Sequence, residues 1–199
     1  MSKTKDKNKD VTIDDIYHHV KCYKNIRSTI DDVNKKNSLK IKYPNISSDM
    51  SENLTKMLIT NNVIFKDKFG DNVIVDLVGR NNKKKCNDLL INNKHKIEVK
   101  CTTSGPGLVT ISKNNVDCYA WIWLDFKHLI NNVSRYIDVH VIMNPANNIH
   151  PWHIKTNNEY KMNIIEMKKG ITDYNDYKYY ELDFDELKLI GTKGYHKFF

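Results

Sequence analysis

Two short apolar runs on either side of Asn92-Asn93-Lys94 constrain the fold of this chain more than any other feature. The run before the turn (88–91) ends in Leu-Leu-Ile, and the run after it (95–101) alternates between polar and apolar residues. Asn-Asn-Lys is typical of a tight turn, and a period of two is typical of a strand. The sequence therefore predicts a β-hairpin over residues 88–101.

The chain before this hairpin has a helical pattern, and the chain after it is mostly strand-like. Apolar residues recur at steps of three and four from Val11 to about Asn34, with Thr12 as the expected N-cap, and a second helix is expected from about Asp49 to Asn61. The other expected elements are strands at 73–78, 119–124 and 136–142, and short helices within 126–133 and 183–189. This order predicts the α/β class.

Length and composition fit a single domain. The chain has 199 residues, of which 40% are hydrophobic, so we expect a flexible basic tail at 1–10 and one domain at 11–199. Four widely spaced cysteines form no CxxC pair, which argues against a zinc site or a disulfide framework. Because there is no apolar signal segment and no run of about 18 apolar residues, we expect a soluble cytoplasmic protein without a membrane partner.

The charge balance favours an anionic partner. Lys and Arg number 32 against 24 Asp and Glu, for a formal net charge of +8. Such a surplus attracts polyanions, of which nucleic acid is one. Neither a GxGxxG nor a GxxxxGK[ST] pattern occurs, which argues against a glycine-rich phosphate loop.

The polar face of the predicted hairpin carries the candidate chemistry. Side chains alternate across a strand, so Glu98 and Lys100 share one face of 95–101. Asp88 opens the partner strand, and the hairpin folds it back toward Glu98. Mg²⁺ binds oxygen ligands and usually takes one or two carboxylates from a protein. We therefore expect Asp88 and Glu98 as metal ligands, with the backbone carbonyl of Val99 as an additional one.

This trio of side chains suits phosphodiester hydrolysis. A bound Mg²⁺ can acidify a water molecule and neutralise the charge that develops on the scissile phosphate. Lys100 could hold the attacking water, help to deprotonate it, or stabilise the developing charge. We expect Asp88, Glu98 and Lys100 to be the catalytic residues.

These residues resemble the metal–lysine motif of the PD-(D/E)XK nuclease superfamily and, within it, of type II restriction endonucleases. Asp88, Glu98 and Lys100 match that motif residue by residue, and Asn87 stands in place of its proline. Three further segments are similar to parts of these enzymes: 43–54, which opens their early helix; 103–107, the turn after E-x-K; and 121–125, the central strand after their crossover helix. The resemblance covers about 43–143.

The resemblance implies a restriction-endonuclease-like fold, in which a central mixed sheet of four or five strands is flanked by helices. It implies Mg²⁺-dependent cleavage of double-stranded DNA at a short specific sequence, with Mn²⁺ able to substitute and Glu52 as a further residue of the metal site. A palindromic target would require a homodimer, and a companion DNA methyltransferase would act on the same sequence. The expected DNA contacts are Arg80, Lys84, Lys85, Ser104 and Lys113.

Other interpretations stay open. A repair nuclease or junction resolvase of the same fold would keep the site but recognise DNA shape, and a basic DNA-binding module would carry the E-x-K triplet by chance. Glu52 could serve a capping box with Asp49 instead of a metal. The segment after Pro145 is a candidate for DNA recognition or for dimer contacts.

Overall fold

The computed structural model describes residues 11–61, 63–78, 87–103, 109–112, 117–148, 154–156, 159–162, 174–184 and 188–193. Its helices are α1 (Ile13–Asn37), α2 (Ser48–Thr60), α3 (Lys66–Phe69) and α4 (Lys127–Ile130). Its strands are β1 (Val75–Leu77), β2 (Leu89–Ile91), β3 (His95–Thr102), β4 (Val109–Ser112), β5 (Ala120–Asp125), β6 (Tyr136–Met143), β7 (Ile154–Thr156), β8 (Glu159–Met162), β9 (Tyr177–Asp183) and β10 (Lys188–Lys193). The basic tail expected at 1–10 lies outside the described residues.

Helix α1 begins and ends with recognisable caps. Thr12 is its N-cap, as predicted, and forms a capping box with Asp15 because each side chain accepts a hydrogen bond from the other residue's backbone N–H. At the other end Ser38 takes the left-handed conformation at φ 52°. The helix buries Ile16, Val20 and Tyr23, so its inner stripe packs against the rest of the domain.

Within the described residues, the central sheet has seven strands in the order β1-β2-β3-β5-β6-β9-β10. Strands β3 and β5 run parallel, and the other neighbours run antiparallel. A second sheet has the order β4-β8-β7. The predicted α/β class with a mixed sheet is confirmed, but the expected four or five strands were too few because β9 and β10 extend the sheet.

The predicted hairpin is confirmed as β2 and β3. Leu89 pairs with Ile97 and Ile91 with His95. Asn92 and Asn93, at φ 49° and 55°, form the turn between these strands. Two consecutive residues with positive φ are the signature of a type I′ turn, whose twist matches that of the flanking strands.

Alternation along the strands gives the central sheet two different faces. On the apolar face, Ile97 and Val99 of β3 join one hydrophobic cluster with buried residues of α1, α2 and α4. The other face carries Glu98 and Lys100, with the neighbouring residues Trp121, Trp123, His140, Ile142 and Tyr177 in the same rows of the sheet. Among the described helices, those in the cluster therefore cover the face opposite to Glu98.

Two expectations about secondary structure were wrong. The resemblance implied a crossover helix between β3 and β5, but the described residues of that connection include the strand β4 and no helix. At the two ends of the short helix expected at 183–189, the structure has the end of β9 at Asp183 and the start of β10 at Lys188, while residues 185–187 lie outside the described part. Tyr180, Leu182 and Phe184 are buried at every second position, which is the period of a strand and not of a helix.

None of the described helices is both long enough and apolar enough to cross a membrane.

Candidate metal centre

Asp88 lies immediately before β2, beside β3, and three hydrogen bonds hold it there. Its backbone N–H donates to the carbonyl of Ile97 at 3.1 Å, and its own carbonyl accepts from the N–H of Val78 at 2.9 Å. Its Oδ2 accepts the backbone N–H of Val99 at 2.7 Å. The Asp88 carboxylate therefore accepts the hydrogen bond that the backbone of a neighbouring strand would otherwise accept from Val99. Val99 is the residue between Glu98 and Lys100.

Glu98 and Lys100 form an ion pair on the polar face of β3. The ammonium Nζ of Lys100 contacts Oε1 of Glu98. The side chain of Glu98 is only 3% exposed and that of Lys100 is 24% exposed. Because a buried carboxylate loses its hydration, a charged partner is needed to keep it ionised. The pair thus places a negative charge inside the protein with its cation nearer to solvent.

Indole rings border this ion pair. In the parallel pairing of β3 with β5, Glu98 lies beside Trp121 and Lys100 lies beside Trp123. Both tryptophans are 1% exposed. Large apolar side chains lower the local dielectric constant, so charges at the edge of β3 interact more strongly than they would in water.

The oxygen atoms at this edge fit Mg²⁺ better than Zn²⁺. Asp88 supplies one carboxylate, whose Oδ2 accepts the Val99 N–H, and Glu98 supplies a second. The N–H and C=O of one strand residue point to the same side, so the Val99 carbonyl faces the same edge as its N–H. Carboxylate and carbonyl oxygens are the ligands that Mg²⁺ accepts, with water completing the shell.

The side chains alone form a sparse ligand set. No group of three or more His, Cys, Asp or Glu side chains within the described residues is arranged to hold a metal ion. Two carboxylates leave most of a six-ligand shell to water, backbone and substrate, which is usual for Mg²⁺ at phosphate-processing sites and unusual for zinc.

Glu52 lies on helix α2, which packs against the apolar face of β3. Burial raises the pKa of the Cys101 thiol, and the charge of Glu52 also contributes to that rise. Cys101 lies on the apolar face, opposite to Glu98. Helix α2 is capped by Ser47, which accepts the N–H of Met50 at 3.3 Å, so Asp49 is not its N-cap. The role of Glu52 in the metal site stays a prediction.

Several residues of this region were not expected from sequence to matter. Asn87 is 7% exposed, and its Nδ2 has no hydrogen-bond partner within the described residues; the same holds for Nε1 of Trp123. Burial, with a contribution from the charge of Glu98, raises the pKa of the Cys118 thiol to about 12. That the two tryptophans lie beside Glu98 and Lys100 follows only from the pairing of β3 with β5. The place of Asn87 in the sequence, a polar residue just before an apolar strand, could have indicated that it matters.

All five expected DNA contacts lie outside the described residues: Arg80, Lys84, Lys85, Ser104 and Lys113. Their contribution stays a prediction.

Comparisons of the chain with protein-family models, with curated proteins and with solved structures find no match. The class of this protein must therefore be inferred from the geometry of the site.

Proposed function

We propose that this protein is a Mg²⁺-dependent endonuclease that hydrolyses phosphodiester bonds of double-stranded DNA at a short specific sequence, as type II restriction endonucleases do. One observation carries the proposal: Oδ2 of Asp88 accepts the Val99 N–H at 2.7 Å, beside the ion pair of Glu98 and Lys100. These contacts support a site in which two acids and one ammonium from the β2–β3 hairpin act together.

The three side chains divide the chemistry between them. Asp88, whose Oδ2 accepts the Val99 N–H, and Glu98 would hold the ion with their carboxylates. When bound, Mg²⁺ would acidify a water molecule and neutralise charge on the scissile phosphate. Lys100 would donate to the attacking water or to a phosphate oxygen. Trp121 and Trp123 keep bulk water from the inner side.

The arrangement of the strands supports a restriction-endonuclease-like core. The resemblance assigns the site to a hairpin followed by an aromatic central strand, and here the hairpin β2–β3 lies directly beside β5. A parallel pair such as β3 and β5 requires a crossover connection. The strand β4 within that connection departs from the crossover helix of the resemblance. On this proposal, a palindromic target makes the active species a homodimer.

Cleavage of plasmid DNA tests the site directly. We expect the parent protein to cut in Mg²⁺ or Mn²⁺ but not in EDTA. Asp88→Asn and Lys100→Ala should each cut at least about a hundredfold more slowly, because each removes a ligand or a proton-handling group. Matched controls are Asp76→Asn and Lys96→Ala, which change exposed residues of β1 and β3 and should cut at the parental rate.

The outcome separates the alternatives. If both site variants cut as fast as the parent, the assignment of the site is wrong. Discrete fragments from linear duplex support a restriction endonuclease, whereas a preference for branched DNA indicates a resolvase or repair nuclease. Binding that weakens steeply with salt, without any metal-dependent cutting, would leave only a basic DNA-binding module.

A further inference from the structure

A second polar cleft lies well away from the metal centre, on the helical side of the sheet. It has a volume of about 380 Å³ and opens between α1, the end of α4 and the start of β6. Three cationic side chains contribute to its walls: Lys21, Lys24 and Arg135. No acidic side chain is among the described residues that line it, and although Asp183 pairs with Arg135, the two lysines leave a net positive charge on its walls.

An aromatic pair forms one wall of this cleft. Tyr17 stacks on Phe184 with ring centroids 5.5 Å apart and planes only 13° from parallel. Phe184 is buried, whereas Tyr17 is 41% exposed. A ring that is supported on one face and exposed on the other is a platform on which a further flat ring can stack.

The cations are positioned around that platform. Tyr17, Lys21 and Lys24 follow one another at spacings of four and three residues, so they project from the same side of α1. On the facing wall, Arg135 contacts the fully buried carboxylate of Asp183 at 2.8 Å while its side chain is 52% exposed. This ion pair holds the guanidinium at the rim, where it can contact an anion.

We propose that this cleft binds an unpaired nucleotide of a DNA strand, with the base stacked on Tyr17 and the phosphate among Lys21, Lys24 and Arg135. A stacking ring next to cationic side chains fits a nucleotide, which has a flat base and a phosphate, better than it fits a simple anion. The proposal deepens the proposed nuclease function and rests on it for its biological purpose, although the binding itself requires no metal ion.

The cleft and the metal centre lie on opposite faces of the central sheet. Lys100 shares its row of the sheet with His140, which is two strands across and five residues along from Arg135, so strand geometry makes the separation measured along the sheet about 20 Å. A DNA strand would have to pass around the sheet to contact both sites, so the cleft is proposed as a separate site for an end or a displaced nucleotide.

Fluorescence anisotropy tests the proposal with the full chain in EDTA, so that nothing is cut. The probes are a labelled duplex with a single-stranded overhang of about six nucleotides and the matching blunt duplex. Tyr17→Leu should weaken binding of the overhang probe by about five- to a hundredfold because the platform is lost. The same change should leave the blunt duplex nearly unaffected, and Tyr17→Phe should restore overhang binding.

The lysines are tested by charge removal. Lys21→Gln/Lys24→Gln should weaken overhang binding about tenfold and reduce the slope of log affinity against log salt by about 1.4, the value for two phosphate contacts on a single strand. The matched control is Lys35→Gln/Lys36→Gln, two exposed lysines in the last turn of the same helix, which should bind as the parent does.

The proposal is overturned if Tyr17→Leu binds the overhang as well as the parent does, or if the two lysine pairs have equal effects. Thermal denaturation of every variant shows that the fold is retained. Because no cleavage is measured, a failure here leaves the nuclease proposal standing. Conversely, if overhang binding depends on Tyr17 but no DNA is ever cut, only the nuclease proposal is refuted.

Discussion

At the scale of single residues, the ion pair of Glu98 and Lys100 is the feature with the clearest energetic consequence. The carboxylate is almost fully buried and the ammonium is its cationic contact. A divalent ion that binds Glu98 must compete with that ammonium for the same oxygens. On the proposed function, the lysine would therefore have two opposite effects, since it offsets the charge of Glu98 in the apo protein and would weaken metal binding.

Replacement of Lys100 by methionine separates these effects. We expect Lys100→Met to bind Mg²⁺ about tenfold more tightly, because one positive charge beside the ion is removed, while cleavage is lost. Isothermal titration calorimetry without DNA measures the affinity. Lys96→Met, an exposed change on the same strand, is the control and should bind as the parent does. Equal or weaker Mg²⁺ binding by Lys100→Met would show that Glu98 is not a ligand.

At the scale of elements, the turn between β2 and β3 holds the site in register. A shift by one residue along a strand exchanges its two faces, so it would move Glu98 and Lys100 to the apolar side. Asn92 prevents such a shift in two ways. It adopts a positive φ, and its Oδ1 accepts the backbone N–H of Ile74 at 2.9 Å, which ties the turn to the chain just before β1.

We expect Asn92→Ala to lower the free energy of unfolding by about 1–3 kcal/mol, through strain at positive φ and loss of this hydrogen bond. Asn93→Gly is the matched variant and should be neutral or slightly stabilising, because glycine is preferred at the second position of a type I′ turn. Urea denaturation measures both changes. An Asn92→Ala protein as stable as the parent would mean that the turn does not depend on this side chain.

Local patterns predicted the elements of the site well. Alternation and turn chemistry placed Asp88, Glu98 and Lys100 on one hairpin, and the cap of α1 was expected at Thr12. Local patterns failed where the secondary structure of a segment depends on pairing with distant strands. The sequence around Asp183–Leu189 mixes acidic and apolar residues in a way that fits a helix, but pairing of β9 with β6 and β10 draws Asp183, Lys188 and Leu189 into the sheet.

At the scale of the whole molecule, the proposed function has a consequence for symmetry. One chain supplies one set of Asp88, Glu98 and Lys100, whereas cutting both strands of a palindrome needs two sets related by a two-fold axis. A subunit with an inactive site would therefore leave one strand uncut.

Mixed dimers test this consequence. If tagged Asp88→Asn chains are co-expressed with parental chains and the mixed species is purified, we expect it to nick supercoiled plasmid, whereas the parental dimer linearises it. Agarose electrophoresis distinguishes open-circular from linear product. Light scattering gives the mass of each species relative to the 23.4 kDa chain. Linearisation by a monomer, or by the mixed species at the parental rate, would exclude this arrangement.

The sequence by itself determined the hairpin and the positions of Asp88, Glu98 and Lys100 along it, because side-chain alternation and turn preferences act over a few residues. Only the tertiary structure decided that Glu98 is buried beside Trp121, that the sheet extends to β10, and that Tyr17 meets Phe184. These features bring together segments that are distant in the chain. Their pairing depends on which apolar surfaces can be buried together, and no local pattern encodes that choice.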